Sequence, residues 1–385
     1  MGSIPAALRL GPLQAPRTAG LERWFAQQGS PPLLDLGRSG APGLSARDVL
    51  DLAGAGAEVL LDVSLDYDDG AGRPGLRAAV AASGAARHAA EVLVTNGAVE
   101  ALLLCCAAIG VHGRPVLVAT PSYEALMRTP AALGAAVERI DVWRPGRDLL
   151  DLDPLIARVR PGVAAVLVNT PANPSGAVAD GEQLATLAAR CAATGATLVV
   201  DEVAVNTLDA SARSVTAAPW FAGAAAVAIG DASKQCGLGG LRCGWLTTAS
   251  TALLGAAAAL KDLTTLGNAA PAELLAQLAL EHRERIVAAV RDAARRNLAT
   301  LSSWIAGRGD AALTPPRDGL VALAFLPELA TARAAECLRR EHGVALVPGE
   351  LLGIAGHVRL GLGLAPERFA EALGRLDAGI RSPAG

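Results

Sequence analysis

Between residues 91 and 247 short apolar runs alternate with longer alanine-rich stretches, and this alternation restricts the possible folds more than any other feature. Strand-length runs fall at Glu91–Thr95, Pro115–Ala119, Val137–Val142, Ala164–Asn169, Thr197–Glu202, Ala224–Gly230 and Arg242–Thr247. Helix-length segments such as Gly97–Ile109, Tyr123–Leu133 and Gln183–Thr194 separate them. Strands that alternate with helices build a mostly parallel sheet with helices on both faces. In open sheets of this kind ligands bind beyond the carboxyl ends of the strands. The turns at those ends are polar or contain glycine: Thr95-Asn96-Gly97, Thr120-Pro121-Ser122, Asn169-Thr170-Pro171 and Asp201-Glu202. They are expected to line one crevice.

After about residue 250 the pattern turns helical, at Ala252–Leu263 and Pro271–Ile305. It closes with Leu320–Phe325, a helix near Thr331–Glu341, and strands at Val344–Pro348 and His357–Gly361. The fold class expected is α/β. Residues 42–265 would form a large domain around a seven-stranded sheet, and residues 1–41 with 266–385 a smaller α+β domain.

The chain has 385 residues, enough for a substantial core, and a formal net charge of −3. That balance gives no electrostatic case for nucleic acid or an anionic membrane as a partner. No apolar run reaches the roughly 18 residues of a membrane span; residues 51–62 and 99–111 read as short core helices. Met1–Pro5 lacks the order of a signal peptide, and Ala6 stands where a myristoylation signal wants Ser or Thr, so a cytoplasmic location is expected. The six cysteines show no CxxC spacing and the five histidines are scattered; buried reduced cysteines and no metal are expected.

Of the 34 basic residues only two are lysines, Lys234 and Lys261. Lysine can lose its proton when desolvated and attack a carbonyl, whereas arginine stays charged. Lys234 lies in Gly230-Asp231-Ala232-Ser233-Lys234, and Arg242 follows eight residues on. Gly97-Ala98-Val99 opens a helix after a strand, so its N–H groups suit a phosphate. Asn173-Pro174-Ser175-Gly176 offers an amide from a rigid turn, and Asp201 ends the apolar strand Thr197–Val200, where a buried carboxylate needs a cationic partner. A phosphate cradle, a buried carboxylate, an amine and an arginine are the parts needed to hold pyridoxal 5′-phosphate.

With these residues in this order, the stretch from about Leu33 to Gly363 resembles the fold-type I, class I/II aminotransferases of the aspartate aminotransferase superfamily. The resemblance implies that Lys234 forms the internal aldimine and moves the proton of the substrate's α-carbon. It implies that Asp201 pairs with the pyridine nitrogen, Asn173 with the ring 3-oxygen, and that Tyr123 stacks on the ring. Ala98, Val99, Ser233 and Arg242 would bind the phosphate. Tyr67 matches a tyrosine that reaches the neighbouring subunit's phosphate, which implies a homodimer with shared sites. Arg359, in Val358-Arg359-Leu360-Gly361, matches the arginine that clamps the substrate α-carboxylate. Arg38, in the loop Leu36–Gly40, lies where relatives contact substrate and could meet an acidic group. Without the resemblance, Tyr123 serves as core packing, Tyr67 as a surface tyrosine, Arg359 as a surface ion pair and Arg38 as a solvated loop residue.

Two positions depart from the family pattern. Ala204 stands three residues after Asp201, where a tyrosine usually donates to the ring 3-oxygen. Losing that donor predicts a protonated, yellow resting enzyme across neutral pH. Asp231 stands where Ser or Thr usually meets the phosphate, and it is expected to turn toward Arg242 or backbone N–H groups. The Gly-Asp-x-Ser-Lys form resembles a branch that includes capreomycidine synthase and other enzymes acting on arginine-like amino acids in natural-product pathways. The reaction expected is transamination between an amino acid and a keto acid. Elimination, replacement or cyclisation at the β- or γ-carbon of an arginine- or S-adenosylmethionine-like amino acid stays open. A DNA-binding regulator is disfavoured because no spare basic helix-turn-helix segment is present.

Overall fold

The computed structural model describes residues 20–28, 32–223 and 225–381. The Met1–Pro5 segment, residues 1–19 of the expected small domain and Ala224 lie outside the described residues.

Seven strands form the central sheet: β1 (Val92–Thr95), β2 (Pro115–Thr120), β3 (Ala136–Asp141), β4 (Ala165–Asn169), β5 (Thr197–Asp201), β6 (Ala226–Asp231) and β7 (Gly244–Thr247). Their spatial order is β1-β7-β6-β5-β4-β2-β3. Only β7 runs against its neighbours, pairing antiparallel with β1 and β6. Except for Pro115 and Thr197, every residue of β1, β2, β4, β5, β6 and β7 is buried, as helices on both faces require. The edge strand β3 carries exposed Glu138-neighbouring positions such as Arg139 and Asp141, charges that discourage pairing with another chain.

Register gathers the strand ends at one edge. Gly244 pairs with both Thr95 and Asp231, and Asp201 pairs with Asn169. All four expected turns therefore open in one direction. A smaller four-stranded sheet holds Ala312–Thr314, Val321–Phe325, His357–Gly361 and Val347–Pro348 in that order. Leu34–Asp35 adds a two-stranded parallel pair with Val344–Ala345.

Three expectations need correction. The helical region 271–305 is two helices, Ala270–Glu281 and Arg283–Ala306, separated at His282. The strand read at Val344–Pro348 is two short strands, Val344–Ala345 and Val347–Pro348, interrupted at Leu346: the first pairs with Leu34–Asp35 and the second with His357–Gly361. Residues 51–62 are not a core helix. They split between Ala46–Ala53 and Glu58–Leu61 around Gly54, which takes left-handed φ and ends the first helix. Leu61 is 78% exposed. By contrast the helix Ala98–Ile109 is core on one side, with Leu102, Leu104, Cys105 and Cys106 buried. Five cysteines are buried, and the sixth, Cys337, is half-buried; none is paired. No helix among the described residues is long and apolar enough to cross a membrane.

Candidate active site

A cavity of about 710 Å³ opens at the carboxyl edge of the large sheet, against the small sheet and the helix Leu21–Gln27. That size suits a small-molecule ligand. Lys234, Asp201, Asn173, Tyr123 and Arg359 line it, and so do Ala98, Val99, Ser233, Arg242 and Arg38. Tyr67 does not; it stands 88% exposed on another face.

Lys234 sits in the one-turn helix Ala232–Gln235 directly after β6. Asp231 caps that helix, its Oδ1 accepting from Ser233 N at 2.9 Å. Of the two orientations expected for Asp231, the structure shows the backbone one. Burial raises its carboxyl pKa, with Lys234 opposing. Lys234 is half-buried, and its Nζ donates to Ser39 Oγ at 3.1 Å.

Asp201 ends β5, buried at the cavity wall. Burial pushes its pKa from 3.8 up to about 7, while a hydrogen bond from Val203 N pulls the other way. A buried carboxyl without a contacting cation is suited to a ligand that brings a positive N–H. Asn169, at the end of the neighbouring strand, holds both sides of this region. Its Nδ2 donates to Asp201 O at 3.1 Å, and its Oδ1 accepts from Asn173 N at 2.7 Å.

Arg359 is 2% exposed, an unusual location for a guanidinium. Its Nη1 donates to Asn173 Oδ1 at 2.8 Å and its Nη2 to Gly37 O at 2.6 Å. Nε is buried without a partner. Burial lowers its pKa to about 10, against the opposing charges of Glu22, Tyr123 and Asp35. Because Arg359 occupies Asn173 Oδ1, the Asn173 amide nitrogen is left to donate elsewhere.

The phosphate-type corner is built from backbone. Gly97 takes φ +83 and caps the helix Ala98–Ile109, and a Cβ there would collide with the Arg242 guanidinium. Gly244 lies flush against Gly97 and Ala98 for the same reason. Arg242 itself holds a left-handed φ of +52, and its Nη1 donates to Gly239 O at 2.9 Å. Ser233 Oγ faces inward, buried and without a partner. This orphan hydroxyl, the close-packed cradle and the unpaired Asp201 carboxyl fit a ligand with an anionic group at one end and a protonated ring nitrogen at the other.

Four participants escaped the sequence reading as individual residues: Glu22, Asp35, Ser39 and Asn169. Glu22 Oε1 accepts from Tyr123 OH at 2.9 Å, across a separation of 101 residues that no local pattern encodes. Burial and this carboxylate push the Tyr123 pKa above its usual value. Asp35 stands 3.5 Å from Arg38, whose side chain is 67% exposed. Only Asn169 left a signal, as a polar residue closing an apolar strand.

The family model described as aminotransferase class I and II matches residues 46–376. The chain belongs to this family. It is a pyridoxal 5′-phosphate enzyme with the fold-type I architecture. It is 31% identical to capreomycidine synthase of Streptomyces vinaceus over 361 residues, 92% of this chain and 91% of that one. It is 30% identical to the arginine–pyruvate transaminase of Pseudomonas aeruginosa, over 84% of each. Among solved structures, the pyridoxal-phosphate-dependent cyclase OrfR superposes with a TM-score of 0.87 at 34% identity, covering 98% of this chain and all of that one. An aspartate aminotransferase from Thermus thermophilus gives 0.81 at 24% identity, a likeness of fold alone. This chain is therefore similar both to transaminases and to a cyclase.

Proposed function

We propose that this chain is an aminotransferase of a biosynthetic, natural-product type, working on an amino acid and a keto acid with Lys234 as its reactive amine. The reading is carried by one observation. Asp201 at the end of β5, Lys234 just after β6, Arg242 just before β7 and Arg359 within the small-sheet strand His357–Gly361 meet in a single cavity. When bound, pyridoxal phosphate supplies an electron sink for the α-carbon of an amino acid.

Arg242, Ser233 and the N–H groups of Ala98 and Val99 would hold the phosphate, whose charge the helix N-terminus favours. Asp201 would keep the ring nitrogen protonated; a cation at contact distance would return its pKa toward the usual range. Asn173 Nδ2 would donate to the ring 3-oxygen, and Tyr123 would stack on the ring face. Lys234 Nζ would carry the cofactor and, once free, shuttle the proton at the α-carbon. Arg359, its guanidinium oriented by Asn173 and Gly37, would clamp the α-carboxylate.

Tyr67 stands out from the surface together with Leu61 and Leu65, the last 83% exposed. A second copy covering these side chains would make a homodimer, with Tyr67 reaching the partner's cavity. The seven-stranded sheet and the short pair Leu149–Leu150 with Val178–Ala179 lie within residues 42–265, the proposed cofactor-binding domain; the four-stranded sheet and the pair Leu34–Asp35 with Val344–Ala345 fall in the remainder.

A second reading is elimination, replacement or cyclisation on a cationic, arginine-like amino acid. Glu22 favours it: a carboxylate at the cavity near Arg359, bonded to Tyr123 OH rather than to a cation, suits a guanidinium-bearing side chain. Arg38, 3.5 Å from Asp35 and largely exposed, favours the opposite preference for an acidic side chain. The visible spectrum of the enzyme during a single turnover with arginine, aspartate and alanine separates the readings. Conversion to the amine form of the cofactor, reversed by a keto acid, establishes transamination. Altered amino acid with the cofactor returned unchanged establishes the second reading. A protein that takes up no pyridoxal phosphate, or a Lys234→Ala variant with full activity, overturns both.

A further inference from the structure

The chain's other lysine is buried more completely than the first. Lys261 ends the helix Thr251–Lys261 at 1% exposure, and its Nζ donates to Gly70 O at 2.7 Å. In a chain whose other 32 basic residues (34 less two lysines) are arginine, this site uses the exception. The geometry explains the choice. One carbonyl meets one compact ammonium, whereas a guanidinium would bury a planar fork of five donors beside a single acceptor. Glu273, Glu100 and Asp69 supply the opposing charge, and burial lowers the lysine's own pKa.

The segment that Lys261 holds is the one that carries Tyr67. Gly70 is pressed against Leu266 O, 3.1 Å from where its Cβ would lie. Ala71 O accepts from Val94 N at 2.9 Å, and a Cβ on Gly72 would collide with the Val94 side chain, so the chain lies flush on β1. Arg73 N donates to the buried Glu273 at 2.7 Å, and Asp69 accepts from Ala71 N and from Arg77 Nη2. Everything from Asp69 to Arg73 is therefore fixed from below, and Tyr67 projects three residues beyond the lysine's anchor point. On this chain Tyr67 reaches no cavity residue of its own site.

We propose that Lys261 is a positioning residue that acts in trans: by pinning Gly70 it aims Tyr67 at the cofactor site of the partner subunit. The proposal rests on the homodimer with shared sites described above. Its signature is complementation between two defective subunits. Lys261→Met keeps the length of the stem and removes the ammonium. Its homodimer is expected to bind pyridoxal phosphate on the order of tenfold more weakly, measured by equilibrium dialysis of the cofactor-free protein, with activity reduced in parallel. Lys234→Ala homodimers are inactive for a separate reason. In a hybrid, the Lys261→Met subunit keeps its own Lys234 and receives a correctly held Tyr67 from the other subunit. Co-refolding the two at equal amounts should restore about a quarter of wild-type activity, since half of the dimers are hybrids with one whole site.

Recovery overturns a purely internal, structural role. No recovery, with each parent dimeric and folded, overturns the proposal, as does a Lys261→Met protein with unchanged cofactor affinity. If Lys261→Met does not fold, Gly70→Ala crowds Leu266 O and shifts the same carbonyl while keeping the Lys261 ammonium beside Glu273, and the same complementation applies. An active Lys234→Ala homodimer instead overturns the functional reading and leaves the trans test to be read from cofactor affinity with Tyr67→Phe hybrids.

Discussion

Asp201→Asn should stabilise the cofactor-free protein while disabling it. Folding raises the carboxyl pKa from 3.8 to about 7, chiefly by burial. A rise of about three units corresponds to about 4 kcal/mol between the ionised and neutral forms. The sign follows from proton binding. Below about pH 4 the carboxyl is protonated in folded and unfolded chains and contributes nothing. As pH rises toward about 7 only the unfolded chain ionises it, so stability falls; above that the penalty is constant. Asparagine carries no such charge and can still accept from Val203 N. The variant's advantage should therefore grow by about 2–3 kcal/mol between pH 5 and pH 8. Glu202 is buried beside it, its pKa also raised to about 7, chiefly by burial and in smaller part by the Asp201 charge, so removing that charge eases Glu202 as well and adds to the variant's advantage in the same direction. Urea unfolding of the cofactor-free proteins at the two pH values measures the difference. An advantage equal at both pH values, or a variant less stable at pH 8, refutes the reasoning. The same variant should bind pyridoxal phosphate poorly, a trade of stability against function.

Arg359→Lys removes the fork that spans Asn173 and Gly37, and should lower kcat/KM at least tenfold with cofactor affinity unchanged; steady-state kinetics and dialysis check the split. Gly97→Ala adds a Cβ where the Arg242 guanidinium lies, at a φ of +83, and should weaken cofactor binding roughly tenfold or more, seen by titrating the cofactor-free protein. Glu22→Gln should reduce kcat/KM for arginine roughly tenfold and leave alanine within twofold, if the cavity selects a cationic side chain; equal loss for both assigns Glu22 to holding Tyr123. Because Ala204 offers no hydroxyl to the cavity, the visible band of the cofactor-loaded enzyme should keep its position across neutral pH, and Ala204→Tyr should make it pH-dependent.

The fold was largely legible because β-strands buried on both faces read as continuous apolar runs. Six of the seven central strands are of that kind, and the observed ends differ from the expected ones by one or two residues. The small sheet was harder. Val344–Pro348 has the composition of one strand, but it serves two sheets, and that division depends on Leu34–Asp35 arriving from 310 residues away.

The chemistry of the site divides the same way. Lys234, Asp201, Asn173 and Arg242 each stand at the end of a strand or its turn, so local pattern alone put them at one edge of the sheet. Sequence by itself determined which residue types would meet there. What it could not supply was the company they keep: Glu22 on Tyr123, Ser39 on Lys234, Asn169 between Asp201 and Asn173, and Lys261 under Gly70. A hydrogen bond is decided by a few tenths of an ångström and by direction. Periodicity fixes which face a side chain occupies, but only the packed tertiary structure brings such partners, Glu22 and Tyr123 from 101 residues apart and Ser39 and Lys234 from 195, to that distance.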